Sequence, residues 1–336
     1  MSATAGLFDH VLRLSDDIGI FEHAEGSVPR RHLGYCVDDV ARALLVAARQ
    51  PEPSGPVRAV TAHYLDFVAS AQAPDGRCRN RFGIDRLWHD EPSVEDCWGR
   101  ALWGLGTAAA RASDEEVRVR ARHRFARSAG QRSPFRRSMA FAALGAAEIL
   151  TAHPHDALAT ALLADVVAMV GRPGTDKGWP WPEARLGYAN AALPEALIAA
   201  GEHLGDQRSL DDGLQLLAWL IDIETAGDHL SVTPVGGWAP GQARPGFDQQ
   251  PIEVAALADA CVRAQRVTGD DIWAQVVEFA IGWFLGNNDA ACSLYDPGTG
   301  GGCDGLQPSG RNENQGAEST LALIATLQHR RVLVGP

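Results

Sequence analysis

Two stretches decide the fold: Val37-Asp-Asp-Val-Ala-Arg-Ala-Leu44 and Glu95-Asp-Cys-Trp-Gly-Arg-Ala-Leu102. They superimpose on their Arg-Ala-Leu triplets and set Asp38 opposite Asp96. Each opens a segment that is Ala/Leu/Gly-rich and almost uncharged beyond its first turn, the pattern of a helix buried on most sides. The same character returns in 136–150, 190–203, 251–267 and 315–328, at intervals of about 45–65 residues, so the chain repeats itself. Gln250-Pro-Ile-Glu253 and Gln315-Gly-Ala-Glu318 supply a second internal match, a Gln-x-x-Glu step at the head of two of these segments.

Between the uncharged segments lie helical stretches with a charged face, at 56–72, 114–128, 207–222 and 270–285; Val57, Val60, Tyr64, Phe67 and Val68 form the apolar stripe of the first. Segments 4–15 and 156–170 bring the number to twelve. Six pairs of alternating inner and outer helices describe an all-α (α/α)6 toroid, and the expectation is one such domain over residues 1–336. The loops entering the inner helices (73–94, 171–189, 223–250, 286–314) are long and rich in Gly, Pro and Trp, the signature of functional connections. They should open on one face. Asp75-Gly76, Asp296-Pro297-Gly298 and Asp304-Gly305 read as tight turns.

Composition removes several classes of partner. With 42 acidic against 30 basic residues and a formal charge of -12, the 336-residue chain lacks the clustered cations that nucleic acid or an anionic membrane demands. Lys177 is the only lysine, so Schiff-base chemistry has one candidate. The six cysteines show no CxxC spacing and read as free thiols in a reducing compartment. No signal-peptide pattern opens the sequence and no apolar run approaches a membrane span, so a cytoplasmic location is expected. His63, His123, His153, His155 and His203 lack metal-ligand spacing, and Gly300-Gly301-Gly302 lacks the Lys-Ser/Thr of a phosphate loop. Neither a metal nor a cofactor is expected.

The first turns of the inner helices hold the distinctive chemistry. Asp38, Asp39, Glu95, Asp96, Glu253 and Glu318 come from four helices that should meet at one funnel. Asn190, Gln249, Gln250, Asn314 and Gln315 add amides; Tyr35, Trp88, Trp98, Trp179, Trp181, Tyr188 and Trp238 add rings. Carboxyls for proton transfer, amides for hydroxyls and rings for pyranose faces make a carbohydrate site. Any one first-turn acid is adequately explained as a helix cap or as half of an i,i+4 pair such as Asp38/Arg42 or Asp96/Arg100. Capping does not explain why six of them gather with Trp, Asn and Gln. Helix N-termini should also hold these carboxyls low, and a general acid would need a neighbouring carboxylate or apolar walls to lift it.

The runs GYCVDDVARAL (34–44), VEDCWGRALWGLG (94–106), SMAFAALG (138–145), GWPWPEARLGYANAALPEAL (178–197), GFDQQPIEVAALADA (246–260) and GGCDGLQPSGRNENQGAEST (301–320) resemble a bacterial (α/α)6 family. Its members are free-standing or joined to retaining-type glycosyltransferase domains, and they accompany mannoside- and glucoside-processing genes. The resemblance runs from about Asp16 to about Leu327. It marks Asp38, Asp39, Arg42, Glu95, Asp96, Arg100, Arg137, Trp179, Trp181, Glu183, Tyr188, Asn190, Asp248, Gln249, Gln250, Glu253, Asn312, Asn314, Gln315 and Glu318. Where members carry Asn, Ser-His, Phe and Asp, this chain has Val40, Cys97-Trp98, Pro182 and Ala189. The resemblance implies glycan processing, in association with a glycosyltransferase or a glycoside phosphorylase.

The reading that follows is a glycoside hydrolase of inverting type acting on a short β-linked gluco- or manno-oligosaccharide. Asp38, Asp39 or Asp96 would activate water, and Glu253 or Glu318 would protonate the leaving oxygen. Tyr35, Glu95, Trp98, Arg100, Arg137, Trp179, Trp181, Glu183, Tyr188, Asn190, Asp248, Gln249, Gln250, Asn314 and Gln315 would bind substrate. A sugar epimerase or isomerase would instead need a base such as His32, His89 or Tyr188 beside the acids. A non-catalytic glycan-binding partner of a glycosyltransferase would keep amides and rings without a working carboxyl pair.

Overall fold

The computed structural model describes residues 6–334, and twelve helices lie among them. Six form an inner ring: α2 (Val37–Ala48), α4 (Asp96–Arg111), α6 (Arg136–Ala152), α8 (Ala192–Leu204), α10 (Pro251–Thr268) and α12 (Ala317–Val334). Each packs on the next, and α12 returns to pack on α2, so the ring closes. Outside it lie α1 (Asp9–Leu14), α3 (Gly55–Ala71), α5 (Glu115–Ser128), α7 (Ala157–Val170), α9 (Gln207–Glu224) and α11 (Asp271–Leu285). The chain has the expected (α/α)6-toroid architecture, with α7 taking an outer place. Of the N-terminal segment expected as a helix over 4–15, only Asp9–Leu14 is helical; residues 4 and 5 lie outside the described residues.

The two rings begin their helices differently. Five of the six outer helices, all but α1, use side-chain caps: Ser54, Asp114, Asp156, Asp206 and Asp270 each accept a backbone N–H of the first turn of α3, α5, α7, α9 and α11. The residues preceding α2, α4, α6, α8 and α10 make no such bond. The acids of the inner first turns are therefore free of the local duty that ordinarily accounts for them.

Inner helices approach closely because their facing residues are small. At the α4–α6 crossing, a Cβ on Gly106 would run into the carbonyl of Gly145, and one on Gly145 into that of Leu102. Trp98, Phe141, Leu102, Leu105 and Leu144, all essentially inaccessible, fill the space around the crossing. The entry loops carry four two-stranded antiparallel ladders: β1 (Ala24–Glu25) with β2 (Val28–Pro29), β3 (Tyr35–Cys36) with β4 (Arg81–Phe82), β5 (Thr225–Ala226) with β6 (His229–Leu230), and β7 (Gly305–Gln307) with β8 (Gly310–Asn312). Asp304-Gly305 is thus not the tight turn expected; Gly305 begins a strand, and Asp304 is held by Gly316 N–H and Ser319 Oγ, both at 2.8 Å. Among the described residues, no helix is long and apolar enough to cross a membrane.

The crossing yields a direct test. Gly145→Ala forces a methyl group into backbone and is expected to lower unfolding stability by about 1–3 kcal/mol, read from denaturant midpoints; an unchanged midpoint would contradict the close approach.

Candidate active site

The N-terminal ends of α2, α10 and α12, with the segment before α2, surround a cavity of about 280 Å³. Five carboxyls line it: Glu22, Asp38, Asp39, Asp304 and Glu318. Arg42, His23 and Gln250 complete its polar wall. Beneath it, sharing Arg42 and Glu318, an apolar shaft of about 50 Å³ runs down the ring between Leu45, Trp103, Phe141 and Ile252.

Arg42 organises the mouth. Its Nη1 donates to Asp39 Oδ1 at 2.5 Å and its Nη2 meets Glu318 Oε2 at 2.7 Å, so one guanidinium ties α2 to α12. Asp39 is 3% exposed and also receives the Cys36 thiol at 3.2 Å. Burial, opposed by Arg42 and aided by Glu318, pushes its carboxyl up to about 6. Asp38 accepts Asn80 Nδ2 at 2.9 Å, its other oxygen is buried without a partner, and burial raises it too. Burial also raises Asp304. The low values expected from helix N-termini are reversed because desolvation outweighs the dipole once the turn is covered by loops.

The six first-turn acids separate. Asp38, Asp39 and Glu318 share the mouth. Asp96 is half-buried on the adjoining wall, close enough for its charge to act on Asp38, and accepts Ser138 Oγ at 2.6 Å. Glu95 faces solvent. Glu253 is 3% exposed, and its oxygens hold a loop in place: they accept the backbone N–H of Ala189, that of Asn190 at 3.1 Å, and Asn190 Nδ2 at 3.2 Å. Ala189, at φ 45°, occupies a left-handed conformation that this clamp stabilises. The expectation of Glu253 as proton donor meets a carboxyl committed to backbone.

The rings also differ from expectation, and none of the seven lines the mouth. Trp98 is inaccessible and donates to Ser128 O at 3.2 Å; two residues beyond Asp96 it has turned about 200° toward α5. Tyr35 is buried, stacked on Phe21 and donating to Asp16 at 2.7 Å. Trp181 stacks on Trp219, with Trp179 edge-on to both Trp219 and Trp238. Trp88 packs with Phe67 and Phe82.

A separate network holds the 183–190 loop. Arg137 donates to the Tyr188 carbonyl, to Glu183 Oε1 at 2.9 Å and to Asn190 Oδ1 at 3.0 Å, with half-exposed Tyr188 across its guanidinium. Gln249 and Gln315 are buried and fully engaged, Gln249 with Trp283 and Asp289, Gln315 with Thr299 and Asp296. Asn314 accepts Gly26 N–H at 3.0 Å, and the Asp248 carbonyl accepts Val235 N–H. Of the expected amides, Gln250 alone lines the mouth.

Glu22, His23, Asn80 and Asp304 were missed, because they lie in loops where no helical period marks them. His32 and His89 line a neighbouring cavity instead, while His23 is the imidazole at the mouth, 3.5 Å from Glu22 Oε1. Glu22, Cys36 and Asp39 offer donor atoms within 4.8 Å of one another. Arg81 pairs with Glu22, Arg42 with Asp39, and burial holds the Cys36 thiol protonated, so the trio's charge is already matched.

Behind the clamp, Glu224 is 1% exposed; burial pushes it up to about 7, and burial together with the charge of Glu224 pushes Glu253 up to about 8. Both lie above the unfolded carboxyl value of 4.5, so their contribution is complete below that value and is lost progressively as pH rises from there through 7–8. Unfolding stability is expected to fall across that window, and Glu224→Gln to flatten the fall; an identical pH profile in the variant would disprove the assignment.

No family model matches the chain, and no curated protein matches it. Solved structures do, over nearly its whole length. A sugar epimerase from a ruminal bacterium superimposes with TM-score 0.71 at 12% identity, covering 96% of this chain and 95% of the other. Cellobiose 2-epimerase from Bacillus thermoamylovorans B4167 gives 0.70 at 9%, over 98% and 96%. The cellulase Cel9M of C. cellulolyticum gives 0.64 at 10%, over 94% and 88%. With these proteins the chain shares the (α/α)6-toroid fold.

Proposed function

We propose that the protein is a carbohydrate-active enzyme that cleaves a glycosidic bond at the carboxyl-lined mouth, on a short β-linked gluco- or manno-oligosaccharide. The observation that carries this reading is the pair Asp39 and Glu318, held on either side of Arg42 at 2.5 and 2.7 Å, with Asp39 pushed up to about 6. A carboxyl lifted to that value is substantially protonated in mildly acidic solution and serves there as general acid. Glu318, 39% exposed and therefore reachable by water, serves as base. The roles are thus the reverse of those expected from sequence, because the acid is the member that burial protects. Assigning the chemistry to Asp39 and Glu318, with Arg42 between them, belongs to the inverting reading; the Glu22–Asp39 approach within 4.8 Å is the arrangement that would favour retention. The glycosidase and epimerase names among the structural neighbours support sugar chemistry as the class.

His23 favours a second reading, epimerisation or isomerisation, in which an imidazole at the mouth abstracts a proton next to a sugar carbonyl. The neighbours named sugar epimerase and D-mannose isomerase support it. A glycan-binding role beside a glycosyltransferase would give binding without turnover.

Incubation of β-1,2-, β-1,3- and β-1,4-linked gluco- and manno-oligosaccharides in D2O, followed by NMR, separates the three. Hydrolysis shortens the chain and yields one anomer first; epimerisation keeps chain length and places deuterium beside the former carbonyl. For the hydrolase, kcat/KM is expected to fall above pH about 6 as Asp39 loses its proton. Asp39→Asn is expected to reduce kcat by about 10²–10⁴-fold and to remove that limb. Full activity in Asp39→Asn would end the assignment.

A further inference from the structure

The internal match that sets Asp38 opposite Asp96 also sets Arg42 opposite Arg100 and Asp39 opposite Cys97. Arg42 has an acid three residues before it and uses it at 2.5 Å. Arg100 has a thiol there, directed at Ser93 and the Cys78 carbonyl. The guanidinium is retained while its partner is gone. Arg100 is 4% exposed, lines the shaft where the shaft meets the mouth, and leaves Nε and Nη2 buried without acceptors. Phe141 lies 3.7 Å beneath its face, which compensates the charge in part and leaves the in-plane N–H donors unmatched.

We propose that the saccharide handled at this mouth carries an oxyanion, a carboxylate or a phosphate, that docks on the guanidinium of Arg100 at the head of the shaft. The inference rests on the reading of the mouth as a sugar site and adds the substrate's charge to it. The unmatched donors of this junction are Arg42 Nε and Arg100 Nε and Nη2; one oxygen of Asp38 is unmatched as well. Burial raises the Asp38 carboxyl, which lessens its opposition to an anion at this junction. Three guanidinium nitrogens, one on Arg42 and two on Arg100, thus remain as donors without acceptors. Of the other charges that act on Arg100, Asp96 is bonded to Ser138 and Glu318 to Arg42. None of these carboxylates hydrogen-bonds it. The walls of the shaft are apolar, so an anion seated there competes with little water, and the planar fork of Arg100 suits two oxygens of one group.

Calorimetry on the full chain tests this without requiring turnover. The probes are D-glucuronate and D-mannuronate, the 6-phosphates of glucose and mannose, the neutral parent sugars, and inorganic phosphate and acetate. The acids are expected to bind at least tenfold more tightly than the neutral sugars, carboxylate against phosphate identifying the source of the oxyanion. Arg100→Met is expected to erase the preference, and Arg100→Lys, which keeps charge and stem without the fork, to reduce it at least threefold. Equal affinity for acids and neutral sugars, an unchanged preference in Arg100→Lys, or binding of inorganic phosphate or acetate alone would each overturn the proposal. A chain that prefers acids but turns over no glycan would overturn the hydrolase reading and leave the anion site standing. One that hydrolyses neutral oligosaccharides and ignores acids would do the reverse.

Discussion

The toroid depends on the seam where α12 meets α2, because a ring of helices is stable only if its last member closes on its first. At the mouth the seam is one guanidinium, Arg42, shared between Asp39 and Glu318. At the opposite end Gln328 donates to the Val46 carbonyl at 2.9 Å, while Asp259 of α10 joins Arg49 of α2 at 2.7 Å and His329 of α12 at 2.6 Å. Buried charges are costly to separate once paired, so these contacts fix the register of closure. The ion pair that closes the ring at the mouth is also the pair from which the proposed chemistry is built.

A consequence of closure is that the inner helices present their N-termini together. Helix dipoles favour ionised acids there, and with that force alone the mouth would hold fully charged carboxylates. The entry loops change the balance. Glu22, Asn80 and Asp304 come from loops that cover the first turns, leaving Asp39 buried and one oxygen of Asp38 shielded from solvent. Desolvation then opposes the dipole and wins, raising both carboxyls where a helix end would otherwise lower them. The absence of a side-chain cap on α2 belongs to the same arrangement: Asp38 and Asp39 are turned into the cavity instead of back onto their own backbone.

Helix identity and ring membership were legible from the sequence because both are local properties. A charged face means solvent on one side, and an uncharged Ala/Gly/Leu segment means neighbours on all sides, so the alternation could be read pair by pair. Asp38, Asp39 and Glu318 were legible for the same reason, being acids where an uncharged turn was expected. Trp98 shows the limit. Its proximity to Asp96 in sequence suggested the funnel, yet two residues of helix rotate it toward α5. Glu253 shows another: its place in the first turn was read correctly, but the loop that consumes its oxygens lies more than sixty residues earlier in the chain.

What the sequence determined by itself was the period, the pairing of inner with outer helices and the clustering of acids at one set of helix ends. These follow from hydrophobic patterning, which every residue reports about its own surroundings. Only the tertiary structure decided which acids share a cavity, which of them burial raises, and that Arg100 stands without a hydrogen-bonding partner among the described residues. Those properties depend on distances between loops and helices far apart in the chain, and desolvation, the force that sets them, is absent until the ring has closed.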